Sequence, residues 1–138
     1  MTTSTKQFRK RNAILAYLRS TKIHPSAEMV FEELKPEYPD LSLGTVYRNL
    51  NLFKQQGMAI SVATVNGVER FDGNTDPHVH FICTGCDAVI DMPQMQVPRP
   101  LQQAAAEQIG GTVEMCQLTF SGLCSACKEN EIKGGETA

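Results

Sequence analysis

The sequence predicts an α+β protein, with an N-terminal winged helix-turn-helix domain over residues 1–73 and a small α/β domain over residues 74–138. Two observations predict the first domain: three amphipathic helical segments follow one another, and an Asn-Gly turn between two β-rich segments comes directly after them. The second domain is predicted by shorter β-rich segments that alternate with one helical segment. A chain of 138 residues can bury one ordinary core or two small ones.

Three segments of the first domain carry apolar residues at helical spacing. The first covers residues 5–20, Ser26 is placed to cap the second, and Ser42 is placed to cap the third. We expect the buried positions to be Phe8, Ile14, Leu15 and Leu18 in the first segment, Ala27, Val30, Phe31 and Leu34 in the second, and Leu43, Val46, Leu50 and Phe53 in the third. Gly57 is expected to end the third helix in a left-handed conformation.

Beyond Gly57 the period changes to that of strands. Asn66-Gly67 is a strong hairpin signal, and it joins Ala59–Val65 to Val68–Phe71. The second domain is expected to contain strands at Val79–Ile82, Ala88–Asp91 and Thr112–Phe120, a helix at Pro98–Ile109, and a frayed polar tail beyond Cys127.

The charge of the chain is unevenly distributed. Residues 1–57 hold nine Lys/Arg and five Asp/Glu, a net charge of +4, whereas residues 58–138 hold four and ten, a net charge of −6. This asymmetry favours contact of the first part alone with a polyanion such as double-stranded DNA. No apolar run is long enough to cross a bilayer and no secretory signal is evident, so we expect a cytoplasmic protein without membrane contact.

The third helix is the expected DNA-reading element, because the corresponding helix of a winged helix enters the major groove. Opposite its apolar stripe it offers Thr45, Arg48, Asn49 and Gln55, with Tyr47 at the flank. Arginine and asparagine suit the edges of bases, and threonine and tyrosine can reach phosphates. An ordinary solvated polar face is the alternative interpretation of this pattern.

Two Cys-x-x-Cys pairs, Cys83/Cys86 and Cys124/Cys127, form the strongest chemical motif. Each pair can turn two thiolates onto one ion, and two pairs complete the tetrahedral shell of a structural zinc ion. A dithiol redox motif is the alternative, although one pair and a thioredoxin-like pattern would be expected for it. The remaining cysteine, Cys116, is expected to be a buried apolar residue.

A second candidate metal site consists of the three histidines and two carboxylates. His78 and His80 alternate along a strand and therefore project from one face, while Asp72 and Asp91 end neighbouring strands. His24 lies in the first domain. If these five residues converge, the mixed nitrogen and oxygen set suits Fe(II), Mn(II) or Zn(II), and the bound metal would tie the two domains together.

These motifs occur in an order that resembles the ferric uptake regulator (Fur) family from about residue 5 to residue 130. The matching segments are HPSAE from His24, SLGTVYRNL from Ser42, RFD from Arg70, HVHFICTGC from His78, Asp91, and CSAC from Cys124. The resemblance implies a homodimeric, metal-dependent transcription factor, usually a repressor, whose second domain mediates dimerisation. It implies no enzymatic activity and no organic cofactor.

Within the family the sequence is most similar to the peroxide-responsive (PerR) branch, because Asp91 stands where iron sensors usually carry glutamate. The resemblance implies that His24, Asp72, His78, His80 and Asp91 hold Fe2+ or Mn2+. It also implies that peroxide oxidises His24 or His78 when iron is bound, and that the repressor then leaves DNA. The alternatives are a Fur-type iron, manganese or zinc sensor without peroxide chemistry and, more remotely, a mononuclear iron enzyme.

The sequence also departs from the wider family in two places. The segment before His78 reads Asn-Thr-Asp-Pro, not a histidine-rich run, and Cys116 occupies a position where iron and zinc sensors often carry histidine. Both departures argue against a third metal site and leave a thiol response of Cys116 open.

Overall fold

A computed structural model describes residues 2–76 and 78–135 of the chain, which divides into two compact units, one ending at Thr75 and the other beginning at Asp76. The first unit contains three helices and a two-stranded sheet, and the second contains a three-stranded sheet and two helices. The fold is therefore of the α+β class, as predicted. No helix within the described residues combines the length and the apolar character needed to cross a membrane.

The first unit begins with α1 (Thr2–Ser20), α2 (Ala27–Leu34) and α3 (Leu43–Gln55). Both predicted caps are confirmed. The Ser26 hydroxyl accepts a hydrogen bond from the amide of Met29, and the Ser42 hydroxyl accepts one from the amide of Thr45. Such caps satisfy amide groups that have no partner within the helix, so they set where each helix begins.

The three helices enclose one apolar core. Ile14, Val30, Val46 and Leu50 are fully enclosed, and Phe53 and Leu18 are nearly so. The prediction for Phe8 was wrong, since this side chain is 60% exposed. It lies two turns before Leu15, on a part of α1 whose contacts with other elements are made by polar side chains, such as Lys10 with Asp40 and Arg11 with Asn49.

The wing is a β-hairpin of β1 (Ile60–Val65) and β2 (Val68–Asp72). Its turn residues, Asn66 and Gly67, have φ angles of 51° and 79°, the left-handed pair that a tight two-residue turn requires. Gly57, which follows α3, also has a positive φ of 73°, as predicted.

The second unit contains β3 (Val79–Cys83), β4 (Val89–Met92), α4 (Arg99–Ile109), β5 (Thr119–Gly122) and α5 (Ser125–Gly135). The strand order is β4-β3-β5, with β3 antiparallel to β4 and parallel to β5. Three predictions were wrong here. Cys116 is only partly buried, not enclosed as expected. The last strand begins at residue 119 and not at 112, because β5 pairs with β3 over only four residues. The segment beyond Cys127 is helical to Gly135, and the amide of Lys128 donates to the carbonyl of Cys124 in the first turn of α5.

Candidate metal centres and DNA-binding surface

The four cysteines of the two pairs come together within the second unit. Their sulfur atoms all lie within 4.8 Å of one another. The parallel pairing of β3 with β5 produces this arrangement, because it sets Cys83 beside Gly122 and so brings the first pair next to the second. None of these cysteines forms a disulfide.

The spacing of the sulfur atoms fits a tetrahedral zinc ion. Zn–S bonds of about 2.3 Å place neighbouring sulfurs about 3.8 Å apart, and Sγ of Cys86 lies 3.9 Å from Sγ of Cys124. Gly85 leaves the room that this packing needs, since a Cβ atom there would lie 3.0 Å from Sγ of Cys127. A sulfur-only set of four suits Zn2+ and leaves no position for a substrate.

The electrostatics of the cluster also favour a cation. Backbone amides, that of Cys124 foremost, donate to Sγ of Cys83 and lower the pKa of this thiol to about 6. The neighbouring sulfurs of Cys83 and Cys124 raise the pKa of Cys127 to about 12. Four thiolates at this distance repel one another, and a divalent ion between them removes that repulsion.

Within the first unit, His24 and Asp72 form a buried pair. Nε2 of His24 lies 3.1 Å from Oδ2 of Asp72, and the two side chains are 1% and 6% exposed. Asp72 is the last residue of β2, and its Oδ1 accepts a hydrogen bond from the amide of Asn74. The carboxylate is thereby fixed in orientation beside the imidazole.

Within the second unit, His78, His80 and Asp91 form a set of three. His80 pairs with Asp91 in the register of β3 and β4. Oδ1 of Asp91 lies 3.1 Å from Nε2 of His78 and 3.2 Å from Nε2 of His80. Both imidazoles therefore project from one face of the strand, as their alternation along the chain predicts.

The hydrogen bonding of His78 prepares this ring for a metal ion. Its Nδ1 lies 2.6 Å from the backbone carbonyl of Asp76 and donates to it, since a carbonyl can only accept. In the neutral ring Nε2 then presents a lone pair toward the Asp91 carboxylate, and a cation held between the two would make this contact favourable. Imidazole and carboxylate donors suit Fe2+ or Mn2+, as predicted.

Two of the five predicted ligands thus lie in the first unit and three in the second. Each group brings a carboxylate within 3.2 Å of imidazole nitrogen, which their positions in the sequence alone do not show. That one ion joins both groups stays a prediction.

The predicted DNA-contacting residues of α3 differ in accessibility. Tyr47 is 41% exposed and donates to the carboxylate of Glu28, whereas the exposed Arg48 donates to the Thr45 hydroxyl. Asn49 is buried, and its amide group donates to the carbonyl of Thr45. A contact of Asn49 with DNA stays a prediction, and it requires this side chain to leave its partners.

Sequence reasoning did not single out the partner of Asn49 on α1. Arg11 donates from Nε to Oδ1 of Asn49 at 3.0 Å. Together they line a polar cleft of about 660 Å³ that also includes Arg48 and has no carboxylate among its lining residues. The basic character of α1 was visible in the sequence, but the residue that reaches α3 depends on how the helices pack.

The fold and the two kinds of donor set define a metal-binding winged-helix protein. A family model described as "Ferric uptake regulator family" matches residues 2–121, and the chain belongs to this family. It is 33% identical over 120 residues to "Peroxide-responsive repressor PerR" of Staphylococcus epidermidis, covering 87% of this chain and 79% of that protein. The protein of the same description from Staphylococcus aureus is 32% identical over 120 residues and is covered to 80%.

Solved structures agree with this assignment. The Campylobacter jejuni peroxide stress regulator superposes with a TM-score of 0.77 at 27% identity, over 91% of this chain and 94% of that one. The ferric uptake regulator of Vibrio cholerae superposes with a TM-score of 0.67 at 28% identity, over 83% of this chain and 88% of that one. The chain is therefore similar to regulators of peroxide stress and of iron uptake.

Proposed function

We propose that the protein is a metal-dependent transcriptional repressor that releases its operator when hydrogen peroxide oxidises a histidine ligand. The observation that carries the proposal is the pairing of imidazole with aspartate in both units, at His24–Asp72 and at His78, His80 and Asp91. The similarity to peroxide-responsive repressors over 120 residues supports the stimulus.

In this proposal one Fe2+ or Mn2+ ion joins the two groups of ligands. The second unit contributes His80 and Asp91, which its sheet sets opposite one another, and His78, whose Nε2 lies 3.1 Å from the same carboxylate. The first unit contributes a buried pair, so desolvation strengthens its attraction for a cation. An ion held by both units stabilises the one arrangement in which the DNA-binding surfaces fit the operator.

The residues around the ion determine the response. Bound Fe2+ supplies the redox chemistry by which hydrogen peroxide transfers one oxygen atom to an imidazole ring and leaves as water. An oxidised His24 or His78 is a poorer nitrogen donor, so its unit loses hold of the metal. With Mn2+ in the same site we expect DNA binding without a response to peroxide.

The DNA-binding surface is proposed to be the outer face of α3, with Thr45, Tyr47, Arg48 and, once released from its partners, Asn49. Duplex operator DNA is the partner, and a cytoplasmic location follows from that target. We assign the protein no catalytic turnover, because five protein ligands leave little room for a substrate at the metal.

We propose a homodimer formed by the second unit. That unit exposes large apolar side chains, among them Leu101 at 49%, Ile109 at 68% and Met115 at 67%. Exposed apolar residues grouped in one small unit are typical of an association surface. Sedimentation equilibrium tests this point, and a monomer at micromolar concentration would contradict it.

The decisive experiment compares Fe2+-loaded and Mn2+-loaded protein on a duplex selected from a random pool with the Mn2+ form. After anaerobic loading, micromolar peroxide should abolish DNA binding of the iron form only. The peptide that contains His24 or the peptide that contains His78 should gain about 16 Da, the mass of one oxygen atom. Fragment ions must separate His24 from Met29, which lies on the same tryptic peptide and oxidises to the same mass.

Asp91→Ala is the matched variant. It should leave a folded dimer with intact cysteine sites that no longer binds the selected duplex with either metal. If DNA binding instead follows metal concentration and neither histidine gains oxygen, the protein is a metal sensor without peroxide chemistry. Turnover of an organic substrate would indicate an enzyme.

A further inference from the structure

The turn that carries His24 is held in place by three successive residues of β2. The amide of Phe71 donates to the carbonyl of Pro25, and Asp72 lies against the His24 ring. The residue before them, Arg70, reaches the same turn through its side chain. Its Nε donates to the carbonyl of His24, and its Nη2 donates to the carbonyl of Ile23 at 2.7 Å.

Arg70 is an unusual residue for such a position. It is only 8% exposed, although arginine is rarely buried without a specific set of acceptors. The planar guanidinium offers donors in a fixed fork, and here two of them meet two consecutive backbone carbonyls. The charge thus orients the backbone of residues 23 and 24.

His24 needs this support because its backbone is in an unfavourable conformation. Its φ angle is 55°, in the left-handed region that residues with a Cβ atom rarely adopt. Such a conformation persists when the surrounding structure fixes it from several sides. The left-handed turn directs the imidazole toward Asp72.

We propose that Arg70 is a positioning residue that holds the imidazole of His24 ready for the regulatory metal. This inference rests on the proposed function and names a residue beyond its five ligands. Without the two hydrogen bonds from Arg70, the turn relaxes toward ordinary φ values and the ring leaves its place beside Asp72. The ligands of the second unit are held by contacts that do not involve Arg70: the pairing of β3 with β4 sets His80 opposite Asp91, and Nδ1 of His78 bonds to the carbonyl of Asp76.

The test uses His78 as an internal reference for His24 in the same molecule. Wild-type, Arg70→Met and Arg70→Lys proteins are saturated with Fe2+ and treated with peroxide, and oxygen addition at each histidine is measured from fragment ions. We expect the ratio of His24 to His78 oxidation to fall at least fivefold in Arg70→Met. Arg70→Lys should fall between that variant and the wild type, because an ammonium group cannot match the fork of the guanidinium. Arg9→Met, at an exposed arginine of α1, is the control and should keep the wild-type ratio.

A second measurement does not depend on oxidation. The Mn2+ concentration for half-maximal binding of the selected duplex should rise about tenfold in Arg70→Met, whereas binding at saturating Mn2+ should be retained. Retained binding at saturating metal also shows that the winged helix is folded. If saturating Mn2+ does not restore binding in either Arg70 variant, Arg70 maintains the fold and the proposal is wrong.

An unchanged oxidation ratio, or an equal loss at both histidines, would overturn the assignment of Arg70 to His24. If the wild type itself shows oxidation at neither histidine, the peroxide mechanism fails. The Mn2+ titration alone then tests the role of Arg70, and an unchanged Mn2+ concentration for half-maximal binding in Arg70→Met would contradict it. The two failures are therefore distinguishable.

Discussion

The two units bury their apolar side chains to very different extents. In the first, the side chains of Ile14, Val30, Val46 and Leu50 are fully enclosed, whereas α4 of the second unit contains no buried residue. The first unit can thus be stabilised by its own core. The second depends on a small sheet, on the cysteine cluster and, as we propose, on a second copy of the chain.

The metal-binding groups also differ, because one lies within a single unit and the other is divided between the two units. The cysteine cluster has a closed set of four sulfur atoms within one unit, which suits a permanent structural ion. The imidazole–aspartate groups are divided between the units, which suits an ion that comes and goes with a signal.

Removal of zinc should produce the largest effect, and this loss of stability should be confined to the second unit. Cys83→Ser, or a strong chelator, removes a binding free energy that also folds the unit, a loss of several kcal/mol. Hydrogen exchange should show unprotected amides in β3–β5 and near-normal protection in α1–α3. Equal loss of protection in both units would contradict the division.

The second largest effect should come from truncating a leucine, which should cost more stability in the first unit than in the second. Leu50→Ala should lower the free energy of unfolding of the first unit by about 2–5 kcal/mol, because it leaves a cavity. Leu101→Ala, at a half-exposed position of α4, should cost less than about 1 kcal/mol in the monomer. Urea denaturation of the two variants, at a protein concentration that favours the monomer, measures both losses. Similar losses in the two variants would contradict the prediction.

Loss of the α2 cap should have a moderate effect. Ser26→Ala removes the acceptor for the Met29 amide and should cost about 1 kcal/mol. Because residue 26 is two positions from His24, the Mn2+ concentration for half-saturation provides a second readout, and it should rise in Ser26→Ala. Ser42→Ala, which uncaps α3, should cost about as much in thermal unfolding but leave Mn2+ half-saturation unchanged.

The ion pair between Lys54 and Glu69 should have the smallest effect. Nζ of Lys54 lies 2.8 Å from Oε2 of Glu69, and this hydrogen bond holds the pKa of Glu69 below its usual value. A lowered pKa in the folded state means that the contribution is present above the unfolded pKa and is lost as the pH falls through the folded one. Both side chains are about one-third exposed, so Glu69→Gln should cost only about 0.2–0.5 kcal/mol near pH 7 and nothing in acid. A pH series of denaturation midpoints measures this, and a difference that grows as the pH falls would contradict it.

The ordered motifs of the chain were sufficient to predict the fold class, the helix caps and the hairpin, because these depend on neighbours within a few residues. Ser26, Ser42 and the Asn66-Gly67 turn are local signals of this kind. The strand predicted from residue 112 failed because pairing with β3 limits its length, which no local pattern records. The prediction that Phe8 is buried was wrong because the extent of the core depends on where α1 meets the other helices.

The sequence by itself determined which atoms are available to a metal: four cysteine sulfurs at two spacings, three histidines and two aspartates. Tertiary structure decided how those atoms are presented. The parallel pairing of β3 with β5 brought the cysteine pairs together, and β2 placed Asp72 beside His24 while Arg70 held the turn of that histidine. The physical reason is that a ligand's identity is carried by its own residue, whereas its orientation depends on hydrogen bonds from residues far away in the chain, such as the 47 positions that separate Arg70 from Ile23.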